Sequence, residues 1–189
     1  SDFYIAGSRT ELIDALGNRH VTYQTDHGQV ILDAWVLSGT ADVFNDTVQD
    51  NGVVNVTTNQ YDGLDRLTLT TAPEDGTTSY IYDDTGANPW ANNIASVTQT
   101  PKPGSPLSPI VTSFTYDPLW NRIATATDGL GHVAQSIYDS ATGNLLQAIA
   151  DAGPYASHSN LTTTYTYNSV GQVLTTTDPT GVATAYTYD

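Results

Sequence analysis

The sequence predicts an all-β protein built from consecutive β-hairpins that pair into one continuous antiparallel sheet. Composition is the first reason: the 189 residues are rich in Thr, Tyr, Val and Ile, whose branched or aromatic side chains suit a half-buried strand. The second reason is an internal repeat, a tyrosine followed by Asp or Asn, which returns after about 21 residues or after longer intervals. The third reason is the Gly, Asp and Asn residues that flank this tyrosine at similar distances and indicate turns.

Seven tyrosines define the repeat, and the first of them is a degenerate copy because Gln follows it. They are Tyr23, Tyr61, Tyr82, Tyr116, Tyr138, Tyr167 and Tyr188. The internal aspartates that follow four of them are Asp62, Asp83, Asp117 and Asp139. One unit is therefore predicted to contain a turn, a short strand that ends in Tyr-Asp, a second turn and a return strand.

Turn residues lie on both sides of each tyrosine. The upstream glycines are Gly17, Gly76, Gly131 and Gly181, and an acidic residue precedes most of them. The downstream glycines are Gly28, Gly86, Gly143 and Gly171, with Asp65 and Asn121 as substitutes. Glycine supplies a positive φ at low steric cost, and Asp or Asn side chains bond to nearby backbone N–H groups, so both types favour tight turns.

The strands are predicted to bury one face. Alternate residues of a strand point to opposite faces, so Tyr186 and Tyr188 share a face, as do Tyr165 and Tyr167. A lone hairpin cannot cover such a face, whereas successive stacked hairpins can. If the repeat tyrosines are buried packing residues, Tyr138→Ala or Tyr167→Ala is expected to cost about 3–5 kcal/mol.

The chain is predicted to be a single segment, 1–189, cut from a larger protein, with three irregular insertions. The insertions span about 38–59, 87–113 and 151–160. The first contains a plausible strand at Val53 to Thr57, and the second, with "TPKPGSPLSPI", is predicted to be a proline-rich loop. Prolines suit loops because they cannot donate a hydrogen bond to a strand ladder.

Charge and composition argue against several classes of function. The chain has 5 Lys+Arg against 20 Asp+Glu, a net charge of -15, which repels phosphate backbones and anionic lipid headgroups. With no Cys it has neither disulfides nor thiolate ligands, and no apolar stretch is long enough for a membrane-spanning helix. We therefore expect no nucleic-acid partner and no insertion into a membrane.

Candidate catalytic and metal-binding residues are few. The four histidines, His20, His27, His132 and His158, show no metal-ligand spacing and are predicted to be polar surface residues in or near turns. The phrases "TDHGQV" and "QDNGVVN" lack the closing Glu of a calcium loop and are predicted to be turns. No nucleophile elbow or phosphate-binding glycine loop occurs, so we expect no enzyme activity, no metal and no cofactor.

The repeated phrases resemble the RHS or YD-repeat family. The resemblance rests on "YDGLDRL" at 61–67, "YDPLWNRI" at 116–123, "YDSATGNL" at 138–145 and "YNSVGQV" at 167–173. It extends over about residues 12–189. The arginine of the family phrase is kept at Arg66 and Arg122, whereas Asn144 and Gln172 replace it elsewhere.

This resemblance implies a structural role. In relatives, YD-type hairpins form a curved, spiralling antiparallel sheet that closes into a hollow shell around a C-terminal domain, often a toxin. This occurs in Tc-toxin components, bacterial polymorphic toxins and secreted effectors, and a similar shell supports cell adhesion in animal teneurins. In some of these proteins an Asp-Pro-x-Gly phrase is a self-cleavage site, but "DPTGV" at 178–182 is followed by an ordinary repeat and is predicted to be a plain turn.

Two functions follow as expectations. The first is a non-enzymatic segment of a shell that shields a C-terminal cargo domain, in a secreted or cell-surface protein of bacterial origin. Its partners are then the rest of the shell and the cargo. The alternative is an extracellular adhesin, in which the sheet surface or the proline-rich loop binds carbohydrate or protein.

Overall fold

The structure, a computed structural model, confirms the all-β, antiparallel prediction. It describes residues 7–36, 54–84, 92–153 and 157–189. Fourteen strands form one open sheet in which their order follows the sequence. The strands are β1 Gly7–Ile13, β2 Arg19–Thr25, β3 Val30–Val36, β4 Val54–Tyr61, β5 Leu67–Thr71, β6 Thr77–Tyr82, β7 Ile94–Thr100, β8 Ile110–Tyr116, β9 Ile123–Thr127, β10 Val133–Tyr138, β11 Leu145–Ala150, β12 Leu161–Tyr167, β13 Val173–Thr177 and β14 Ala183–Ala185.

The chain divides into two compact units. The first contains the described residues of Ser1–Tyr80 and Thr98–Ile110, and the second those of Ile81–Val97 and Val111–Asp189. Within the described ranges, no helix is long and apolar enough to cross a lipid bilayer.

Among the strand pairs whose register the structure describes, a β-bulge accompanies five copies of the repeat, and in four of them it fixes the position of the tyrosine. Tyr61 pairs with Leu67 while the preceding Gln60 pairs with Leu69, so Thr68 is an extra residue on the return strand. The same shift occurs just before Tyr116, Tyr138 and Tyr167. The bulge therefore belongs to the repeat, and it sets the tyrosine opposite the first residue of the next strand.

The prediction that Tyr23 occupies the tyrosine position of the first repeat is wrong, because the neighbouring residue Gln24 occupies it. In the first copy the bulge lies between Tyr23 and Gln24, and Gln24 pairs with Val30. Gln24 thus occupies the place that Tyr61 has in its own copy. Because neighbouring residues of a strand face opposite ways, Tyr23 points to the other side of the sheet.

That other side carries the core of the first unit. Val21, Tyr23 and Ala34 are buried, with Ile31, Leu32 and Val56 packed against them. Tyr23 is 3% exposed. Its hydroxyl accepts a hydrogen bond of 2.8 Å from Nε of Arg9, whose guanidinium also lies over the ring.

The insertions differ in part from expectation. In the second, Ile94–Thr100 forms a strand and β8 begins at Ile110. Between these two strands the loop spans 101–109 and contains four prolines. The strand expected at Val53 to Thr57 is present as β4, although it begins at Val54 and runs on to Tyr61. Residues 37–53 lie outside the described ones, as does Gly86.

The third insertion contains no strand within its described parts, 151–153 and 157–160. The carboxylate of Asp151 organises it, accepting hydrogen bonds of 2.7 Å from the Ser159 backbone N–H and 2.9 Å from the His158 ring. These bonds lower the pKa of Asp151 to about 2, the Ser159 N–H contributing most. Asn160 closes the loop through two hydrogen bonds to the backbone of Gly153.

Candidate functional site

The Tyr-Asp turns share one hydrogen-bonding pattern, in which the Asp or Asn side chain caps the turn. At the turn 62–66, Oδ1 of Asp62 accepts bonds from the backbone N–H groups of Leu64 and Arg66, at 2.9 and 3.0 Å. The backbone of Asp62 also pairs with that of Arg66. Asn168 makes the equivalent bonds in the turn 168–172. The predicted Asx chemistry of the turn is thus present in the structure.

Two of the Tyr-Asp turns have one extra residue. They span 117–122 and 139–144 and begin with Asp117 and Asp139. Each aspartate accepts from the backbone N–H groups two and three residues later. The longer turns still close with the same backbone pair between first and last residue.

At most turns, the residue with positive φ is the glycine, Asp or Asn that the sequence pattern predicts. The glycines with positive φ include Gly17, Gly28, Gly131, Gly143, Gly171 and Gly181. The two predicted substitutes adopt the same conformation, Asp65 at φ 63° and Asn121 at φ 51°. Gly76 differs, because Asp75 holds the positive φ of its turn at 62°. The phrase "DPTGV" forms an ordinary turn capped by Asp178.

Among the described residues, five tyrosine hydroxyls form hydrogen bonds that connect their hairpin to the strand before it. Each donates a hydrogen bond of 2.7–3.0 Å to the carbonyl at the start of that strand. The donor and acceptor pairs are Tyr61 with Val30, Tyr116 with Ile94, Tyr138 with Ile123, Tyr167 with Leu145, and Tyr188 with Val173. Burial raises the pKa of Tyr61, Tyr116 and Tyr167, which keeps these donors protonated. The sequence predicted packing for these rings but not the hydrogen bonds.

Tyr82 ends β6 and Asp83 begins the connection that follows it. The backbone N–H of Asp83 donates to the carbonyl of Asn93 at 2.8 Å, so a long connection is closed by the same type of bond as the short turns.

Neighbouring Tyr-Asp turns also contact each other through the positive-φ residue. His27 Nδ1 lies 2.8 Å from the carboxylate of Asp65, and Gln29 donates to the Asp65 carbonyl at 2.9 Å. In the second unit, Asn93 and Asn121 bond through their side-chain amides. Sequence reasoning missed these contacts, because residues 28 or more positions apart are brought together only by strand pairing.

A further contact between neighbouring turns is at Gly143, where little space is left around the backbone. This glycine is buried beneath Trp120 of the preceding turn, and a Cβ at position 143 would lie 2.7 Å from the indole. Arg122 donates to the Gly143 carbonyl and lies over the ring of Tyr138, 5.6 Å from its centroid. Gly143 is thus needed for its φ of 73° and for the room it leaves.

The two arginines of the family phrase perform different tasks. Arg66 pairs with the carboxylate of Asp62 in its own turn, through Nε and Nη2 at 2.7 Å each, and it lowers the pKa of that carboxyl. Arg122 instead reaches forward to Gly143. The extra residue of the turn 117–122 accompanies this change of partner.

Every histidine pairs with an aspartate. The partners are His20 with Asp33, His27 with Asp65, His132 with Asp128, and His158 with Asp151. His20 lies in β2, two residues beyond the turn 14–18, and its ring stacks on Trp35. No group of three potential metal ligands occurs in the parts of the chain that the structure describes.

The acidic residues concentrate at the turns. Of those that the structure describes, only Glu11 and Asp33 belong to strands. Several turn carboxylates accept hydrogen bonds that lower their pKa. The largest contribution comes from the Asn18 side chain at Asp14 and from the Thr180 hydroxyl at Asp178, followed by backbone N–H groups. The negative charge therefore belongs mainly to the strand ends and has a structural use there.

Removing one tyrosine hydroxyl tests how much its hydrogen bond to the preceding strand contributes to stability. Tyr167→Phe keeps the ring but loses the 2.8 Å bond to the Leu145 carbonyl. We expect it to lower the free energy of unfolding by about 1 kcal/mol. Because Tyr167 is half-buried, we expect Tyr167→Ala to cost about 2 kcal/mol rather than the 3–5 kcal/mol of a buried ring. Urea denaturation measures both, and a Phe variant as stable as the parent chain would contradict the tie.

The histidine pairs predict a pH dependence of stability. The hydrogen bonds that His27 and His132 donate to the carboxylates of Asp65 and Asp128, respectively, raise the pKa of the two histidines. A raised folded-state pKa gives stability that is complete below the unfolded value of about 6.5 and is lost as pH rises through the folded value. Thermal unfolding at about pH 6 and pH 8 should show this loss in the parent chain and less of it in His27→Gln/His132→Gln. An unchanged difference in the double variant would contradict the assignment.

Comparison with known proteins shows a likeness in fold. No protein-family model matches the chain, and no curated protein does either. The crystal structure of TcdB2-TccC3 matches with a TM-score of 0.59 and 17% sequence identity over 84% of this chain and 8% of that chain. The crystal structure of TcdB2-TccC3-TEV matches with a TM-score of 0.41 and 16% identity over 85% of this chain and 9% of that one. The chain thus spans only a small part of the length of these structures.

Proposed function

We propose that this chain is a non-enzymatic wall segment of an RHS or YD-repeat shell that encloses and shields a C-terminal toxin or effector domain. The shell belongs to a secreted or cell-surface bacterial protein. One observation carries the proposal: five of the described hairpins are bonded to the strand before them by a tyrosine hydroxyl as well as by strand pairing. Such ties resist the local opening that exposes a chain to proteases.

The likeness to TcdB2-TccC3, a Tc toxin chain, supports the proposal at the level of fold. The YD phrases support it independently, since they are the phrases of shell-forming relatives. The partners of the segment are then the neighbouring hairpins of the same shell and the enclosed domain.

The distribution of charge indicates how the wall meets its cargo. A net charge of -15 would attract a basic cargo if it lay on the faces of the sheet, but the described carboxylates lie mainly at strand ends and cap turns there. The strands themselves carry mostly threonine and aliphatic side chains, together with tyrosine and alanine. We therefore propose that the wall confines its cargo sterically rather than by charge.

Limited proteolysis of the complete polypeptide that carries this chain tests the proposal. We expect electron microscopy to show a closed hollow particle, with the C-terminal domain cleaved by chymotrypsin much more slowly than the same domain produced alone. Gly143→Ala should speed that cleavage by weakening the wall, whereas Gly131→Ala, whose position has open space around it, should do so less. An open particle, or a C-terminal domain cleaved as fast as the isolated one, would overturn the shell function.

A further inference from the structure

A shallow depression of about 610 Å³ lies on the first unit, away from the Tyr-Asp turns. Its floor is formed by paired residues of two strands, Asp33 opposite Thr57 and Trp35 opposite Asn55. The turn Ala72–Glu74 forms its rim. Its size is within the range of small-molecule sites.

Trp35 in this depression has no role in the core. Its neighbours Ala34 and Val36 are 0% and 1% exposed and point to the opposite face of the sheet, whereas Trp35 is 52% exposed. Tryptophan is a large apolar side chain that gains stability when it is buried, so a half-exposed ring in the middle of a sheet invites a functional explanation.

The orientation of Trp35 is fixed by His20. The two rings stack with centroids 4.1 Å apart and an angle of 12° between their planes. His20 Nε2 in turn contacts Asp33 Oδ1 at 2.5 Å. The indole is thus held in place before any ligand arrives, which lowers the entropy that binding must overcome.

The polar groups around the indole exclude other ligand classes. Two carboxylates, Asp33 and Glu74, disfavour phosphate or other anions. Asp33 already contacts His20 at 2.5 Å and Glu74 pairs with Lys102 at 2.9 Å, so a cation would have to replace existing contacts of both carboxylates. A purely apolar ligand would leave the carboxylates, Asn55 and Thr57 without water or a polar substitute.

We propose that this depression binds a neutral carbohydrate, with the sugar ring stacked on Trp35. The C–H face of a pyranose is apolar and matches the indole, while its hydroxyls can donate to Asp33 and Glu74 and exchange hydrogen bonds with Asn55 and Thr57. This site is separate from the repeat tyrosines, and the proposal goes beyond the shell function without depending on it.

Calorimetric titration of the chain with maltohexaose and chitohexaose tests the site. We expect at least one of these neutral oligosaccharides to bind with a Kd of about 1 mM or tighter. Trp35→Ala should weaken that binding by about tenfold or more, and Trp35→Phe by less, because phenylalanine keeps a smaller ring. Asn55→Ala, which truncates the exposed side chain opposite Trp35, should also weaken it.

Tyr186→Ala is the matched control, because it removes a 44% exposed aromatic ring of the repeat and should leave sugar binding unchanged. Heteronuclear NMR of the unaltered chain gives a second readout, in which the indole N–H resonance of Trp35 should move on titration while that of Trp120 does not. Three outcomes would overturn the proposal: no binding of either sugar, binding that Trp35→Ala leaves intact, or tight binding of tetramethylammonium in place of sugar.

Discussion

Tyr23→Ala is expected to lower the free energy of unfolding by about 3–5 kcal/mol, the loss typical of a large buried aromatic side chain. Tyr23 is 3% exposed and packs with Val21 and Ala34 in the core of the first unit. Its removal would also leave Arg9 without the 2.8 Å bond to the phenol oxygen. Urea denaturation, followed by circular dichroism, measures the change.

Gln24→Ala is the control for this prediction, since Gln24 occupies the position that tyrosine has in the other copies. Gln24 is half-buried, and its side-chain oxygen accepts a long hydrogen bond of 3.4 Å from the Ser8 hydroxyl. Its loss should cost about 0.5 kcal/mol, as at ordinary surface sites. If Gln24→Ala were the more damaging change, Tyr23 would not be the core residue and the shifted register would be wrong.

Gly143→Ala is expected to destabilise the second unit by about 2–5 kcal/mol. The left-handed backbone at φ 73° costs an alanine about 1–2 kcal/mol. The new methyl group would also lie 2.7 Å from the indole of Trp120, and forcing such a contact typically costs about 1–3 kcal/mol more. Thermal and urea unfolding both report the loss.

Gly131→Ala isolates the backbone part of this effect. Gly131 has a similar φ of 87°, but nothing lies within 4 Å of the position its Cβ would take. Its substitution should therefore cost only about 1–2 kcal/mol. Adding Trp120→Ala to Gly143→Ala removes the clash, so a double-mutant cycle should show a clear coupling between the two changes. Equal losses for the two glycines, without coupling, would contradict the close packing of Trp120 on Gly143.

Local chemistry made much of this fold predictable. Asp or Asn at the start of a turn and Gly, Asp or Asn at its left-handed position act within five or six residues, so the printed sequence contains the whole motif. The recurrence of Tyr-Asp then gave the number and order of most hairpins. Ile94–Thr100 was missed because the prolines beside it dominated the composition of that segment.

Contacts between distant residues could not be predicted from the sequence. The β-bulge of the repeat is a property of two paired strands, and an alignment made without knowledge of it placed Tyr23, rather than Gln24, in the repeat position. The hydroxyl of Tyr167 finds the Leu145 carbonyl only because β11 lies beside β12. Trp35 and His20 were unremarkable in the sequence, and their stacking follows from the pairing of β2 with β3.

The fold class, the hairpin unit and the residues that close its turns could be predicted from the amino-acid order, because backbone preferences and Asx capping are local. The tertiary structure decided which face each side chain occupies and which distant turns meet. Register is a joint property of two strands, and a shift of one residue exchanges the two faces of a sheet. That physical fact placed Tyr23 in the core, set Trp120 over Gly143 and left Trp35 exposed on the opposite face.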